Sequence, residues 1–288
     1  MRTVIVDRRD LTLEIKNGGM SVGGQQIPFR LVDLLVLGRH ITLESGTLLR
    51  LGREEIPVMI VGRDAREFSL VLPLRGKNGE LKIAQYRAFE HNRLEMARYF
   101  LGEKLRTHLA HLERMGVSVE RAPWEERLKK GESIPELMGV EGSFASLYFR
   151  HFFSQLPPAL HKGRRSKHPP ADPVNALLSY LYTYLYHLIG SRLHLNGFDP
   201  SIGYLHEPFR SHYALASDIL ECFRASINET VAGWFLDERV TAEDFGKKGG
   251  IYLRRESRRG LWPEIKELGE SLQPRIDDEI SLLRSVVS

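Results

Sequence analysis

A single cysteine, Cys222, stands among the 288 residues, so the chain cannot close an internal disulfide. That suits a reducing compartment. Long apolar runs are missing too: no stretch approaches the roughly 20 residues of a membrane-spanning helix. The opening MRTVIVDRRD lacks the apolar segment of roughly 7–15 residues that marks a secretory signal. A cytoplasmic protein with no membrane partner is therefore expected. Several catalytic signatures are absent as well. No GxxxxGK[ST] loop and no GxSxG elbow occurs, and one cysteine cannot build a cysteine-based zinc site. His206-Glu207 opens like HExxH, but Arg210 stands where the second histidine belongs. These absences remove several nucleotide-hydrolase and zinc-peptidase readings.

What is present is the mixture of a folded globular protein, 42% hydrophobic and 27% charged. The 41 basic and 37 acidic residues leave a formal charge of +4, too small to name a nucleic-acid partner by itself. The distribution is more informative. Cations bunch at Lys162, Arg164, Arg165 and Lys167, and again at Lys247, Lys248, Arg254, Arg255, Arg258 and Arg259. Such runs either neutralise phosphates or form a solvated loop.

The organisation is strands first, helices after. Thr3–Val6, Leu11–Ile15, Leu34–Leu37, Pro57–Val61 and Phe68–Leu72 read as strands. Asn17-Gly18 between two such runs marks a hairpin. The polar stretch Arg75-Gly76-Lys77-Asn78-Gly79 reads as a linker. Beyond it, helical spacing is predicted over about 85–115, from near Glu141 to Leu156, after Asp172-Pro173, over about 212–236, and from Pro263 onward. This predicts an α+β protein: a small N-terminal β-sheet domain (1–78) followed by a larger all-helical C-terminal domain (79–288).

Chemistry is confined to a few acids and one histidine. Asp218 and Glu221 are three residues apart on a helix with Leu215, Ile219 and Phe223, so two carboxylates share one side of an apolar segment. A divalent cation between them relieves their repulsion; an exposed acidic stripe has the same spacing. His206 ends Ile202-Gly203-Tyr204-Leu205-His206 after the turn sequence Gly197-Phe198-Asp199-Pro200. There it serves as a ligand, a base or a structural hydrogen-bonding group. Glu141, between Gly139 and Gly142, is read as lying at a helix start, where the dipole alone would favour it. Tyr180, Tyr182, Tyr184 and Tyr186 read as core and interface residues before they read as a base-stacking platform.

Three stretches carry a resemblance that joins these signals. They are Gly139-Val140-Glu141-Gly142 with Tyr148-Phe149; Asp172-Pro173-Val174-Asn175-Ala176-Leu177-Leu178-Ser179-Tyr180; and Gly197 through His206, followed by Asp218-Ile219-Leu220-Glu221 and Phe223-Arg224. In order and spacing the chain resembles the CRISPR-associated integrase–endonuclease family, Cas1, the larger subunit of the spacer-acquisition complex. The resemblance implies a β domain joined to a helical domain, a homodimer, and a complex with the small Cas2 protein that captures prespacer DNA and inserts it at the CRISPR repeat. It also implies a metal held by Glu141, His206 and Glu221, with Asp218 as a further catalytic acid. One imidazole and two carboxylates suit Mg²⁺ or Mn²⁺. On this reading Lys162, Arg164, Arg165 and Lys167 contact phosphates near the scissile bond. Arg254, Arg255, Arg258 and Arg259 track the duplex further out. Asn175 either hydrogen-bonds near the site or is satisfied within the fold. A non-enzymatic DNA-binding scaffold and an RNA-directed metal nuclease are the competing readings.

Overall fold

The computed structural model describes residues 2–62, 67–74, 78–167, 169–209 and 212–287; Arg75-Gly76-Lys77 of the expected linker lie outside them. The N-terminal elements are β1 (Thr3–Val6), β2 (Leu11–Lys16), β3 (Gly19–Val22), β4 (Gln25–Pro28), β5 (Leu34–Gly38), β6 (Ile41–Leu43), helix α1 (Ser45–Arg53), β7 (Val58–Val61) and β8 (Phe68–Val71). They form two four-stranded sheets, ordered β1-β5-β7-β8 and β4-β3-β2-β6. The expected hairpin joins β2 to β3, with Lys16 opposite Gly19.

The two sheets explain two kinds of strand sequence. In β2, Leu13 is buried while Thr12 and Glu14 are exposed, the alternation of a strand with one wet face. In β5 every residue is buried. Leu35 and Leu37 join Leu13, Met20 and Val58 in the core between the sheets. Leu34 and Val36 point the other way, into the core shared with the helices. Covered on both faces, β5 has a continuous apolar run. Helix α1 is absent from the sequence expectation; it buries only Thr47 and Leu51, too short an apolar stripe to stand out.

The remaining elements are α2 (Gly79–His91), α3 (Arg93–Arg114), α4 (Ala122–Lys130), α5 (Ile134–Ser154), α6 (Pro173–Leu195), α7 (Ala214–Glu221), α8 (Arg224–Leu236), β9 (Phe245–Lys247), β10 (Ile251–Leu253), α9 (Arg255–Gly260) and α10 (Trp262–Val287). This part is not all-helical: β9 and β10 pair antiparallel. The three-residue connection between them carries Gly249 in the left-handed region, φ 67°, which glycine adopts without steric cost. Helix α6 is the centre. Asp172 caps it by accepting from the Asn175 N–H at 2.8 Å, and Pro173 opens its first turn. Leu177, Leu181, Leu185, Tyr180 and Tyr184 are all buried, so α6 is enclosed on more than one side.

Three predicted boundaries shift. The helix expected over 85–115 is two helices meeting at Asn92. Helix α5 begins at Ile134, capped by the Ser133 side chain, so Glu141 lies two turns inside it rather than at its start. The helix expected over 212–236 breaks after Glu221. Cys222 N–H donates to Ile219 O and Phe223 N–H to Leu220 O, the tight i to i−3 closure that ends a helix. Glu221 is thus the last residue of α7, and Arg224 the first of α8. Among the described residues no helix is long and apolar enough to cross a membrane.

Candidate metal centre

A pocket of about 460 Å³ is lined by Glu141, His206 and Glu221 together, with Lys104, Arg150, Arg164, Arg165, Lys167, Tyr182 and Arg224 also on its wall. The three proposed ligands come from α5, the 199–206 loop and α7. Helix α3 packs against both α5 and α7 and brings Lys104 between them.

The loop that carries His206 has no regular structure, and side chains fix it instead. Gln85, fully buried, donates to Asp199 O at 2.9 Å and Ile202 O at 3.1 Å, and accepts from Asp199 N–H. Arg93 donates to Tyr204 O at 3.0 Å. Gly203 is required by space: a Cβ there would stand 2.7 Å from the Ala214 carbonyl carbon, so the loop lies flush on the start of α7. Asp218, fully buried, completes the hold. One of its oxygens accepts the Tyr204 and Leu205 N–H groups, the other the His206 N–H.

Asp218 also sets the chemistry of His206. Nδ1 is 2.8 Å from Asp218 Oδ1. A carboxylate only accepts, so Nδ1 carries the hydrogen and donates it. The lone pair is left on Nε2, 3.9 Å from Glu221 Oε1. A carboxylate behind a histidine is the arrangement that orients metal-ligating imidazoles. Asp218 is spent on the 204–206 segment and on the imidazole. It does not face the pocket, so its place is that of a positioning residue rather than a ligand.

Glu221 is buried, 5% exposed in its side chain, and ionised. Burial opposes its charge, but the cations Arg224 and Lys104 outweigh this and hold its carboxyl well below the usual range. Arg224 Nε lies 2.8 Å from Glu221 Oε1. Lys104 donates to Glu141 Oε1, and its ammonium stands 2.6 Å from Glu221 Oε2. Burial opposes the Lys104 charge as well, yet Glu221 and Glu141 raise its pKa above the ordinary lysine value. Among the described residues, therefore, no three His, Cys, Asp or Glu groups stand ready around a single metal position. The Lys104 ammonium bridges the two glutamates instead. The donor set nonetheless fits a hard divalent ion: two carboxylates, one with its charge enforced, and an imidazole whose free nitrogen is fixed by a buried acid.

The predicted basic residues divide. Arg164, Arg165 and Lys167 line the pocket; Lys162 is exposed beyond it. Asn175 is fully buried and builds the loop. Its amide donates to Arg164 O and Asp172, and accepts from Arg165 and Ser166 N–H. With all these bonds inside the fold, it has no capacity left for DNA. Arg258 is corrected outright: it is 2% exposed and bound to Asp7 and Gly62 O. Arg259 donates to Asp7 O and Arg254 to Phe245 O, and Arg255 stands 3.8 Å from Asp7. This run is chiefly a fastening between the N-terminal sheet and the helices. Of the four tyrosines, Tyr180 and Tyr184 are core residues. Tyr186 accepts from the Tyr213 N–H. Tyr182 lies beneath the guanidinium groups of both Arg224 and Arg165, at 4.5 and 5.4 Å from its ring centre.

Sequence reasoning gave no role to Lys104 or Arg150, read Tyr182 only among the four tyrosines, and named Arg224 only within a matching stretch. A signal for Lys104 existed. It falls between Phe100 and His108 on a stripe that ends at Leu112, all buried in α3, and a lysine at such a position demands a buried anion.

The family model described as "CRISPR associated protein Cas1" matches residues 2–267. The chain is 32% identical to a CRISPR-associated endonuclease Cas1 of Thermus thermophilus, over 88% of this chain and 77% of that one. It is 28% identical to one of Thermodesulfovibrio yellowstonii, over 91% and 90%. Among solved structures, a CAS1 protein from Thermotoga maritima superposes with a TM-score of 0.89, 20% identity, and coverage of 100% and 97%. A casposase bound to integration product gives 0.82, 21% identity, 93% and 82%. A chain of a Cas6-RT-Cas1–Cas2 complex gives 0.81 and 20% identity, over 99% of this chain and 34% of that one. With a family match over nearly its whole length, this chain belongs to the CRISPR-associated Cas1 family.

Proposed function

We propose that the protein is a divalent-metal-dependent DNA endonuclease and integrase that inserts captured DNA into a CRISPR array. The observation that carries this reading is the convergence of Glu141, His206 and Glu221 on one pocket whose rim is arginine and lysine. Relatives named as Cas1 endonucleases and the fold shared with a casposase on its integration product support the substrate class. Glu141, His206 and Glu221 would hold Mg²⁺ or Mn²⁺. When bound, the ion supplies a charge that polarises a phosphoryl oxygen and favours the ionised nucleophile.

The chain's own residues do the rest. Asp218 keeps the His206 imidazole in one tautomer and one orientation. Arg224, stacked on Tyr182, and Arg164, Arg165 and Lys167 offer cationic charge to the phosphates beside the scissile bond. In the reaction a DNA 3′-hydroxyl oxygen bonds to phosphorus and the phosphorus–O3′ bond of the repeat breaks. The proton lost by the attacking hydroxyl is balanced by one gained at the leaving oxygen. With water in place of the hydroxyl, the same exchange nicks DNA. Lys162 extends the cationic path. On this reading the chain also forms a homodimer and takes a Cas2-type partner; the family match and the fold shared with a chain of a Cas6-RT-Cas1–Cas2 complex support the second.

The test is strand transfer of a labelled DNA duplex in Mn²⁺. His206→Ala and Glu221→Ala are expected to lose about 100-fold or more, the scale of removing a group that stabilises developing charge. Integration at the parent's rate by either variant would overturn the catalytic reading and leave a DNA-binding scaffold. RNA of the same sequence, offered in competition, separates the nuclease classes.

A further inference from the structure

Lys104 has no part in the reading above, yet it sits at the point where the two glutamates meet. It is on the buried stripe of α3, 8% exposed in its side chain, and its ammonium touches both carboxylates. The two contacts are unequal. Lys104 donates a hydrogen bond to Glu141 Oε1. Glu221 Oε2 is buried and has no aligned donor, although the ammonium is 2.6 Å away. That oxygen is neutralised in charge but not satisfied in direction. A lone pair left over in a buried carboxylate is unusual and asks for a second occupant.

Space and charge then decide how that occupant enters. Hard divalent ions lie about 2.1 Å from carboxylate oxygens. Glu141 and Glu221 could not both hold an ion at that distance while the ammonium stays between them. Charge says the same. Glu141 and Glu221 are each matched by a cation as they stand, through Lys104 and Arg224. A further two positive charges beside Lys104, Arg224 and the cationic rim of the pocket are costly unless one cation withdraws. Arg224 is stacked on Tyr182 and fixed at the start of α8. Lys104 carries its charge on a flexible four-carbon stem and borders the pocket, so it is the one able to turn away.

We infer that Lys104 is a positioning residue that competes with the divalent ion: its ammonium holds Glu141 and Glu221 together, and the ion binds by displacing it. The inference rests on the metal-dependent reading of this site. It assigns to Lys104 both the stability of the paired carboxylates and a brake on metal affinity.

Mn²⁺ titration of the full chain, followed by calorimetry and by the electron paramagnetic resonance of free Mn²⁺, tests it. Lys104→Gln is expected to bind Mn²⁺ about tenfold tighter than the parent, the scale of removing one competing charge near a partly shielded site. Lys104→Arg, which keeps the charge, should bind no tighter than the parent. Without Mn²⁺ the Gln variant should melt below the parent, and saturating Mn²⁺ should raise its Tm by more. A damaged fold alone would weaken binding, so tightening cannot come from misfolding. Equal or weaker Mn²⁺ binding by Lys104→Gln, with the parent still binding through His206 and Glu221, overturns the role of Lys104 and leaves the metal reading standing. No parent binding that His206→Ala removes overturns both. If Lys104→Gln does not fold, a crystal of the parent grown in Mn²⁺ decides. Nζ must have left at least one of the two carboxylates, and an ammonium still touching both beside a bound ion refutes displacement.

Discussion

Two clusters of buried charge in this molecule are built from nearly the same parts. In one, Asp7 at the end of β1 receives Arg258 Nη2 and Trp262 Nε1, each at 3.1 Å, with Arg255 near its other oxygen and Arg259 on its carbonyl. In the other, Glu221 and Glu141 receive Lys104 and Arg224 beside His206. The first cluster ties the N-terminal sheet to α9 and α10 and puts its central guanidinium, Arg258, out of reach of solvent. Both clusters border a cavity, but only the second includes an imidazole with a free nitrogen. The difference teaches how to separate structural from chemical charge. Both clusters bury ions, and burial alone marks neither as a site. What marks the second is an excess of carboxylate and imidazole donors facing a space that the chain does not fill.

The largest expected effect falls on the first cluster. Arg258→Ala leaves the Asp7 carboxylate buried without its main partner. It should lower the unfolding free energy by about 3–5 kcal/mol, the usual cost of breaking a buried pair. Urea unfolding measures it. A loss under about 1 kcal/mol would break the comparison, because the cluster would then not be the fastening it is described as. Asp218→Asn addresses the second cluster. It should lower Mn²⁺ affinity or strand transfer by about 10–100-fold, as losing the acid that orients a metal-ligating imidazole does. The chain should still fold, which circular dichroism checks. A stability loss with no loss of affinity would move Asp218 into the class of Asp7.

A further effect concerns acid. His108 lies beneath the second cluster, with Nδ1 2.8 Å from Lys104 O. Burial, then the Lys104 charge, pushes its pKa down to about 3. An unfolded histidine titrates near 6.5. Between these values the unfolded chain binds more protons than the folded one. Stability therefore falls as pH drops from about 6.5 toward 3, by at most about 1.4 kcal/mol per pH unit for this group. His108→Phe should flatten that slope in a pH series of urea melts. An unchanged slope would show that acid sensitivity enters elsewhere.

The fold class was legible from composition of segments: β-branched runs with Asn-Gly and Gly-Gly turns first, helical periodicity after. Helix ends were less so. The break at Cys222–Phe223 follows from i to i−3 closure within a segment whose apolar spacing continues across it, so no local residue announces it. Glu141 reads as a helix start because the helix dipole favours an acid there, whereas Ser133 and Pro135 supply the real start. Of the site, the acids and the histidine were visible as residue types, and only the family resemblance joined them. Lys104 lies 37 positions before Glu141, on another helix. The Arg254–Arg259 run read as a DNA surface because a charge run in sequence does not show which guanidinium points inward. Its partner, Asp7, lies about 250 residues away.

The hold that Asp218 keeps on the 204–206 backbone has a consequence for motion. Three successive amide hydrogens, in a segment with neither helix nor strand, donate to a buried carboxylate at the core of α7. Their exchange with solvent is then governed by the opening of α7 rather than by loop fluctuation. Kinetically, this irregular stretch behaves as part of a helix, and His206 inherits that stillness.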